Sequence, residues 1–505
     1  MSKLKSAAIW VTLLALLLKL IGFVREVFIA KEFGASDYTD GFLLAFTFVT
    51  LLKTLIKNGF NSVFLPEYLK DKRHNPQQAD RNANGMLNYT ILLLIGVTIV
   101  CYLLTPYIVL LFGDMTETTK MVATRITRVF FLFTLIIGLT SVLESYLQAV
   151  RSFVPNQIVN LLGTLVATLF IIFFADLWGI YSIAYGFIAG LGIGLLIQVY
   201  YLYKYGYRWE FTFNVDKQFA KTFFLLFVPA LLHASVGHIN VFVDKAFASG
   251  TVSGAVTYLN NASLLMSIPS AIFQSSILAI IFTLLSEQNE QKEKFKDTLY
   301  SGYQIGLLGL VPIGVGLLLL ANPIISFIFE RGAYTAQDTA NTVLVLYNYI
   351  PMLVTMGIIL IPIKAMYALG KTRKLLLISS TTIILNIVFN YLFLNWFGYP
   401  GLALSSSVVN FYYVLFVSWA IYQEMPKGEG TKVIKLVFKV LIPSALMAVP
   451  ILLLTFFTPV SELASLVQLI ILVPVGIITY IIGLYLFYRE GFNQMLNFVK
   501  RRAKK

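Results

Sequence analysis

Apolar stretches of roughly 20 residues recur from end to end of this chain, separated by short polar clusters. Fourteen are marked, near residues 7–33, 40–57, 86–112, 122–150, 155–176, 179–203, 219–247, 254–286, 297–328, 338–368, 373–396, 401–423, 433–457 and 463–488. Each is long enough to cross a hydrocarbon core of about 30 Å. Continuous apolar runs, rather than alternating ones, select helices over a closed barrel. The pattern predicts an all-α polytopic membrane protein of about 14 transmembrane helices. Pro312 and Pro362 interrupt the ninth and tenth stretches, where breaks are expected. The first run continues past Leu20 without a small-residue cleavage pattern, so it reads as a retained span and not a signal peptide.

By length alone, 505 residues could make several soluble domains. Composition overrules that: 58% of residues are hydrophobic and 12% charged, against about a quarter charged in soluble domains. The formal net charge is +14. Nucleic-acid binding and membrane topology both explain such an excess. The lysines and arginines lie mostly in short loops and tails, such as "KDKR" at Lys70–Arg73 and "KRRAKK" at Lys500–Lys505. No soluble domain is present to read bases, so topology is the better account and no nucleic-acid partner is expected. With the N-terminus inside, alternate loops carry most of the basic residues, and an even span number places both termini in the cytoplasm. Internal loops reach only about fifteen residues, too few for a soluble catalytic domain. Cys101 is the single cysteine, which excludes an intrachain disulfide and a cysteine-based metal site.

The phrase "VFIAKEFGAS" at Val27–Ser36 returns as "VFVDKAFASG" at Val241–Gly250. Both copies end odd-numbered spans, the first and the seventh. That spacing implies two parallel six-helix lobes, at 1–215 and 216–428, with 429–505 adding two further helices and a basic tail. Chance recurrence of common residues is the alternative. Gly186, Gly190 and Gly194 form a small-residue stripe that reads as a close packing face.

Ionisable groups at bilayer depth are costly and generally face a cavity or a partner. Lys19 lies about 18 Å along the first span. Glu26, seven residues on, shares its face, and Arg25 points elsewhere. Lys19 and Arg25 are therefore candidates for a polar cavity, with an ion pair to Glu26 as the plainer reading. Lys53 lies deep in the second span, whereas Lys57 reads as an interfacial anchor. Asp40 fits a helix N-terminal charge as well as a cavity group. Lys364 sits towards one end of the tenth span, where snorkelling and function fit equally. Asp244 stands beside Lys245 and either pairs with it or holds a cation. Asn386 and Asn390 share one helix face, offering oxygen ligands to a hard cation or hydrogen bonds between helices. His233 and His238 fit buried hydrogen-bonded residues better than a proton relay. Glu144 is a buried acid without an evident sequence partner. No G-x-x-x-x-G-K-[ST], G-x-S-x-G or H-E-x-x-H pattern is present, so no enzyme is expected.

Several stretches carry a family resemblance. "LKLIGFVREVFIAKEFGASDYTDGFLLAF", "LQAVRSFVPNQIVNLL" at Leu147–Leu162, "IFERGAYTAQDT" at Ile328–Thr339, "KAMYALGKTRK" at Lys364–Lys374 and "GYPGLALSSS" at Gly398–Ser407 follow in order. Together they resemble the MurJ (MviN) family of the wider flippase and drug/cation-exporter superfamily. The resemblance implies movement of an undecaprenyl-diphosphate-linked saccharide, lipid II above all, from the inner to the outer leaflet of the bacterial plasma membrane. It implies two lobes around a cationic cavity, with two final helices forming a groove for the lipid tail. Lys19, Arg25, Asp40, Lys53 and Lys364 then match substrate-binding positions. Asp244, Asn386, Asn390 and Ser406, with Leu402, match a cation site of some members. Coupling to Na+ or H+ and to the membrane potential follows as an expectation, as do membrane lipids and cell-envelope glycan synthesis enzymes as partners. Lysine replaces arginine at positions 19 and 53, and Leu264 stands where the family commonly has a cavity arginine. A flippase for an exopolysaccharide or teichoic-type unit fits the same residues. An acid-lined cation/drug antiporter fits them less well.

Overall fold

The computed structural model describes the backbone over residues 2–273, 279–288, 291–423, 425 and 428–503. Side chains are described over the same ranges except at 2–9, 228–230, 232–235, 272–273, 279–280, 282–283 and 497–503. His233 lies outside the described side chains.

The first unit begins with α1 (Ser2–Phe33) and α2 (Asp37–Gly59), which continues through a π-helical segment at Phe60–Phe64 into α3 (Leu65–His74). Then come α4 (Pro76–Val109), α5 (Glu117–Leu132), α6 (Thr134–Ala149), α7 (Val154–Trp178), α8 (Tyr181–Lys204) and α9 (Lys217–Ser249). The chain goes on through α10 (Ala255–Phe273), α11 (Ala279–Glu287), α12 (Lys292–Leu319), α13 (Ala321–Phe329) and α14 (Ala336–Ala368). It ends with α15 (Thr372–Phe397), α16 (Pro400–Tyr422), α17 (Glu429–Phe457), α18 (Ser465–Phe487) and α19 (Arg489–Ala503). Each of the fourteen expected spans falls on one helix or on a consecutive pair. Ten described helical segments are long and apolar enough to cross a membrane, and eleven if the bent pair α5–α6 counts as one span. The other expected spans, α1, α9 and α10–α11, include residues outside the described side chains.

The expected breaks at Pro312 and Pro362 do not occur. Proline removes the N–H that would bond the carbonyl four residues earlier. For Pro312 that carbonyl is Leu308, and it accepts a hydrogen bond from the Tyr480 hydroxyl at 2.9 Å instead. A neighbouring helix has thus replaced the lost donor, and α12 runs on. The ninth span does break, but at Leu320, where Pro323 conflicts with the end of α12 four residues before it. The fourth span bends by 54° at Phe133. No proline or glycine announces that bend in the sequence.

Packing divides the chain into residues 1–257 with 331–334, and residues 258–330 with 335–505. The first unit therefore includes α9, which was expected to open a lobe at 216. Aromatic contacts hold it there: Phe242 stacks on Phe112 at 4.6 Å, and Phe227 meets Phe60 at 5.8 Å. The glycine stripe on α8 packs on α7 as anticipated. A Cβ at Gly186 would lie 2.8 Å from the Ala167 Cα, and one at Gly194 would lie 2.8 Å from Val159. In the second unit, α17 and α18 pack on each other and on α12 and α13.

Two of the quoted stretches meet inside the first unit. Gly34 (φ +62) and Gly332 (φ +60) both take left-handed conformations, and the Ala333 N–H donates to the Lys31 carbonyl at 2.8 Å. The helix that follows each stretch has its own stop and start. Ser36 caps α2, and Thr335 forms a capping box with Asp338 at the start of α14. The irregular connection 205–216 carries backbone groups that need partners. Buried asparagines of α4 supply them: Asn84 donates to the Arg208 carbonyl at 3.0 Å, and Asn88 to that of Thr212 at 2.7 Å.

Candidate functional site

In the first unit, the candidate residues lie on α1, α2, α6, α7 and α9. Lys19 lies on the exposed side of α1 among Leu16, Leu17 and Leu20. It is Arg25, not Lys19, that meets Glu26, at 2.5 Å, with side-chain exposures of 13% and 7%. The Arg25 guanidinium also sits 5.2 Å from the Phe46 ring centroid. Arg25 is therefore preorganised by an acid on one side and a ring on the other.

Lys53, half-buried on α2, donates to Asn160 Oδ1 at 2.7 Å. Asn160 in turn donates to the Asn156 carbonyl, and Gln198 donates to Asn156 Oδ1 at 3.3 Å. Lys57, expected to be a simple anchor, forms an ion pair with Glu144 at 2.7 Å. This corrects two readings at once, because Glu144 had no evident sequence partner and Lys57 read only as an interfacial anchor. The linking residues Asn156 and Asn160 were missed as functional candidates. Their four-residue spacing in "VPNQIVN" was the available signal, since it places both on one face of α7.

Breaking a mostly buried pair leaves the remaining charge uncompensated. Lys57→Met is expected to destabilise the first unit by about 2–3 kcal/mol. Adding Glu144→Leu is expected to restore most of that loss. Chemical unfolding of the single and double variants checks it, and equal losses in the two would refute the pairing.

Asp40 is almost fully buried, and both its oxygens are occupied. Oδ2 accepts from the Gly254 N–H at 2.9 Å, and Oδ1 accepts from the Thr257 N–H at 2.9 Å and its hydroxyl at 2.6 Å. It serves the start of α10, not its own helix, as an anionic cap. Asp244 and Lys245 are half-buried on α9, and Lys245 donates to the Leu43 carbonyl at 3.2 Å. His238 is half-buried on the same helix.

In the second unit, Lys364 is half-buried on α14, 5.9 Å from the Tyr367 ring centroid. Asn386 and Asn390 are buried on α15, and Asn390 donates to Asn386 Oδ1 at 3.4 Å. On α16, Leu402 is buried and Ser406 half-buried, while Leu264 is half-buried on α10. Among the described residues, no three His, Cys, Asp or Glu side chains gather as a metal site.

This unit also holds a long apolar groove of about 1040 Å³ between α11, α12, α13, α17, α18 and α19. On α12 its lining extends from Asp297 to Leu320, about 35 Å of helix. Ile313, Leu317, Met447, Ile477 and Tyr480 face it, with Gly309, Gly316 and Gly476 leaving room. Such a trough spans the thickness of a hydrocarbon core and offers it an apolar wall.

A family model described as Lipid II flippase MurJ matches residues 29–473. The chain is 28% identical over 424 residues to the probable lipid II flippase MurJ of Buchnera aphidicola subsp. Acyrthosiphon pisum, covering 82% of this chain and 83% of that protein. A solved lipid II flippase MurJ in an inward closed conformation superposes with a TM-score of 0.83 at 25% identity, over 95% of this chain and 99% of that one. A multidrug resistance MATE family transporter of the MOP superfamily superposes with a TM-score of 0.68 at 15% identity, over 83% of this chain and 95% of that one, which is likeness of fold alone. The match spans nearly the whole chain, and the ordered motifs lie within or beside it. This multi-pass membrane protein belongs to the MurJ family of lipid II flippases.

Proposed function

We propose that this chain moves lipid II from the inner to the outer leaflet of the bacterial plasma membrane by alternating access, as a transporter and not an enzyme. One observation supports the reading most: the apolar groove is as long as a membrane is thick. A cation or drug antiporter has no use for such a surface. A polyprenyl chain that stays in lipid while its headgroup crosses does.

Lys19, Arg25, Lys53 and Lys364 are assigned to the anionic headgroup, which hydrocarbon alone would exclude. The guanidinium of Arg25 offers paired donors to a phosphate, whereas Lys19 and Lys53 offer point charges. Asp40, its oxygens engaged by the first turn of α10, is assigned to the fold. With both termini in the cytoplasm, an inside-negative potential favours outward movement of the anion. For two charges at 100 mV the bias is about 4–5 kcal/mol.

A monovalent cation is assigned to the reset step. Asn386 and Asn390 lie on one buried face of α15, and their amide oxygens, one of them accepting from the Asn390 amide, are of the donor type a hard cation prefers. Replacing sodium by choline is expected to slow turnover severalfold in vesicles held at fixed pH and potential. Unchanged turnover would remove sodium from the cycle.

The cellular test is depletion with rescue, reading the leaflet location of labelled lipid II and of other polyprenyl-linked glycans. Rescue of lipid II export supports the assignment. Rescue of an exopolysaccharide intermediate alone would overturn it.

A further inference from the structure

A second, polar cavity of about 310 Å³ adjoins one end of the groove, lined by Asp297, Tyr300, Glu429, Lys432, Lys435 and Lys439. The spacing of the three lysines gathers them on one side of α17. The same side continues through Pro443 to Met447 and Ile451, and the last two line the apolar groove. From Lys439 to Met447 is about 12 Å along the axis. Asp297 lines both cavities, so the basic pocket and the apolar trough form one continuous surface.

Lysines at a span's cytoplasmic end are common as topology anchors that spread into the headgroups. These are organised differently. Glu429, with only 11% of its side chain exposed, draws in Lys432 at 2.8 Å and Lys296 of α12 at 3.5 Å. Lys439 rests 5.3 Å from the Tyr488 ring centroid. Three lysines and two carboxylates line the pocket, leaving one positive charge in excess, and Lys296 beside it is held between Glu293 and Glu429.

We propose that this pocket is an inner-leaflet loading site: the diphosphate of a polyprenyl-linked lipid docks on Lys432, Lys435 and Lys439 while its chain enters the adjoining groove. The assignment rests on the lipid II reading above. It predicts that the cargo is captured by its phosphates at the groove before the saccharide is carried across. The pocket then sets apparent affinity and leaves the maximal rate alone.

The test uses full-length protein in neutral phosphatidylcholine vesicles, comparing wild type with Lys432→Gln/Lys435→Gln/Lys439→Gln. Flipping rate is measured against lipid II concentration. The variant is expected to raise KM about tenfold with an unchanged maximal rate. In detergent, wild type is expected to retain a glycan-free polyprenyl diphosphate that the variant loses. Lys435→Gln alone, folded by circular dichroism, is expected to fall between them. An unchanged KM in the variant, or displacement of the polyprenyl diphosphate by equimolar phosphatidylglycerol, would overturn the site. Wild type that moves no lipid II would instead defeat the functional reading, and the retention measurement would still decide the pocket.

Discussion

Gly316→Trp is expected to stop lipid II movement and leave the protein folded. Gly316 lies on α12 within the groove lining, and a Cβ built there meets no atom within 4 Å. An indole at this position therefore enters the trough and displaces no neighbouring helix. If the polyprenyl chain must lie there, the rate falls at least about a hundredfold, equivalent to about 2.7 kcal/mol. Gly96→Trp on α4 is the matched control, since it also faces open space and lies outside the groove. That variant is expected to transport normally. Flipping in vesicles, with helicity and thermal unfolding measured alongside, separates a blocked groove from a lost fold. Full activity in Gly316→Trp would show that the groove is not where the tail lies.

The second large effect is expected at Arg25. Truncating it alone would leave the buried Glu26 carboxylate without the guanidinium beside it, confusing transport with stability. Arg25→Ala/Glu26→Gln removes both charges together. It is expected to fold and to lose at least about tenfold in lipid II flipping, about 1.4 kcal/mol of differential interaction. Arg25→Lys is expected to be intermediate, because charge is kept and the bidentate geometry lost. Wild-type rates in the double variant would remove Arg25 from the headgroup path.

The helical plan was legible because lipid leaves the backbone few options: apolar runs of membrane length must become helices. Over their described residues, all fourteen runs are helical, two of them as bent or broken pairs and one across α10 and α11. Where the helices would break was not legible, because proline acts through its surroundings. Pro312 is absorbed by a hydroxyl from Tyr480, far away in sequence, whereas Pro323 is not absorbed and ends α12. The charges show the same split. Arg25 and Lys53 were visible as basic groups at depth, but the partner of Lys57 lies 87 positions away, and nothing local to either residue points to the other. Asp40 looked like a charge at the start of its own helix and instead caps another. The resemblance implied a groove on the two final helices, but its lining was not legible residue by residue, because it comes from 281–324, 447–481 and 494–495, apolar stretches that look like any other span.

The most direct test of the account is the crossing itself. Purified protein in vesicles, oriented and held at an imposed inside-negative potential, is given lipid II in the inner leaflet, and its arrival outside is read by an enzyme that cannot cross. Protein-dependent arrival, faster as the potential grows, is the predicted result. Lipid II remaining inside while protein in the same vesicles moves a different lipid-linked glycan, or only a small cation, would contradict it.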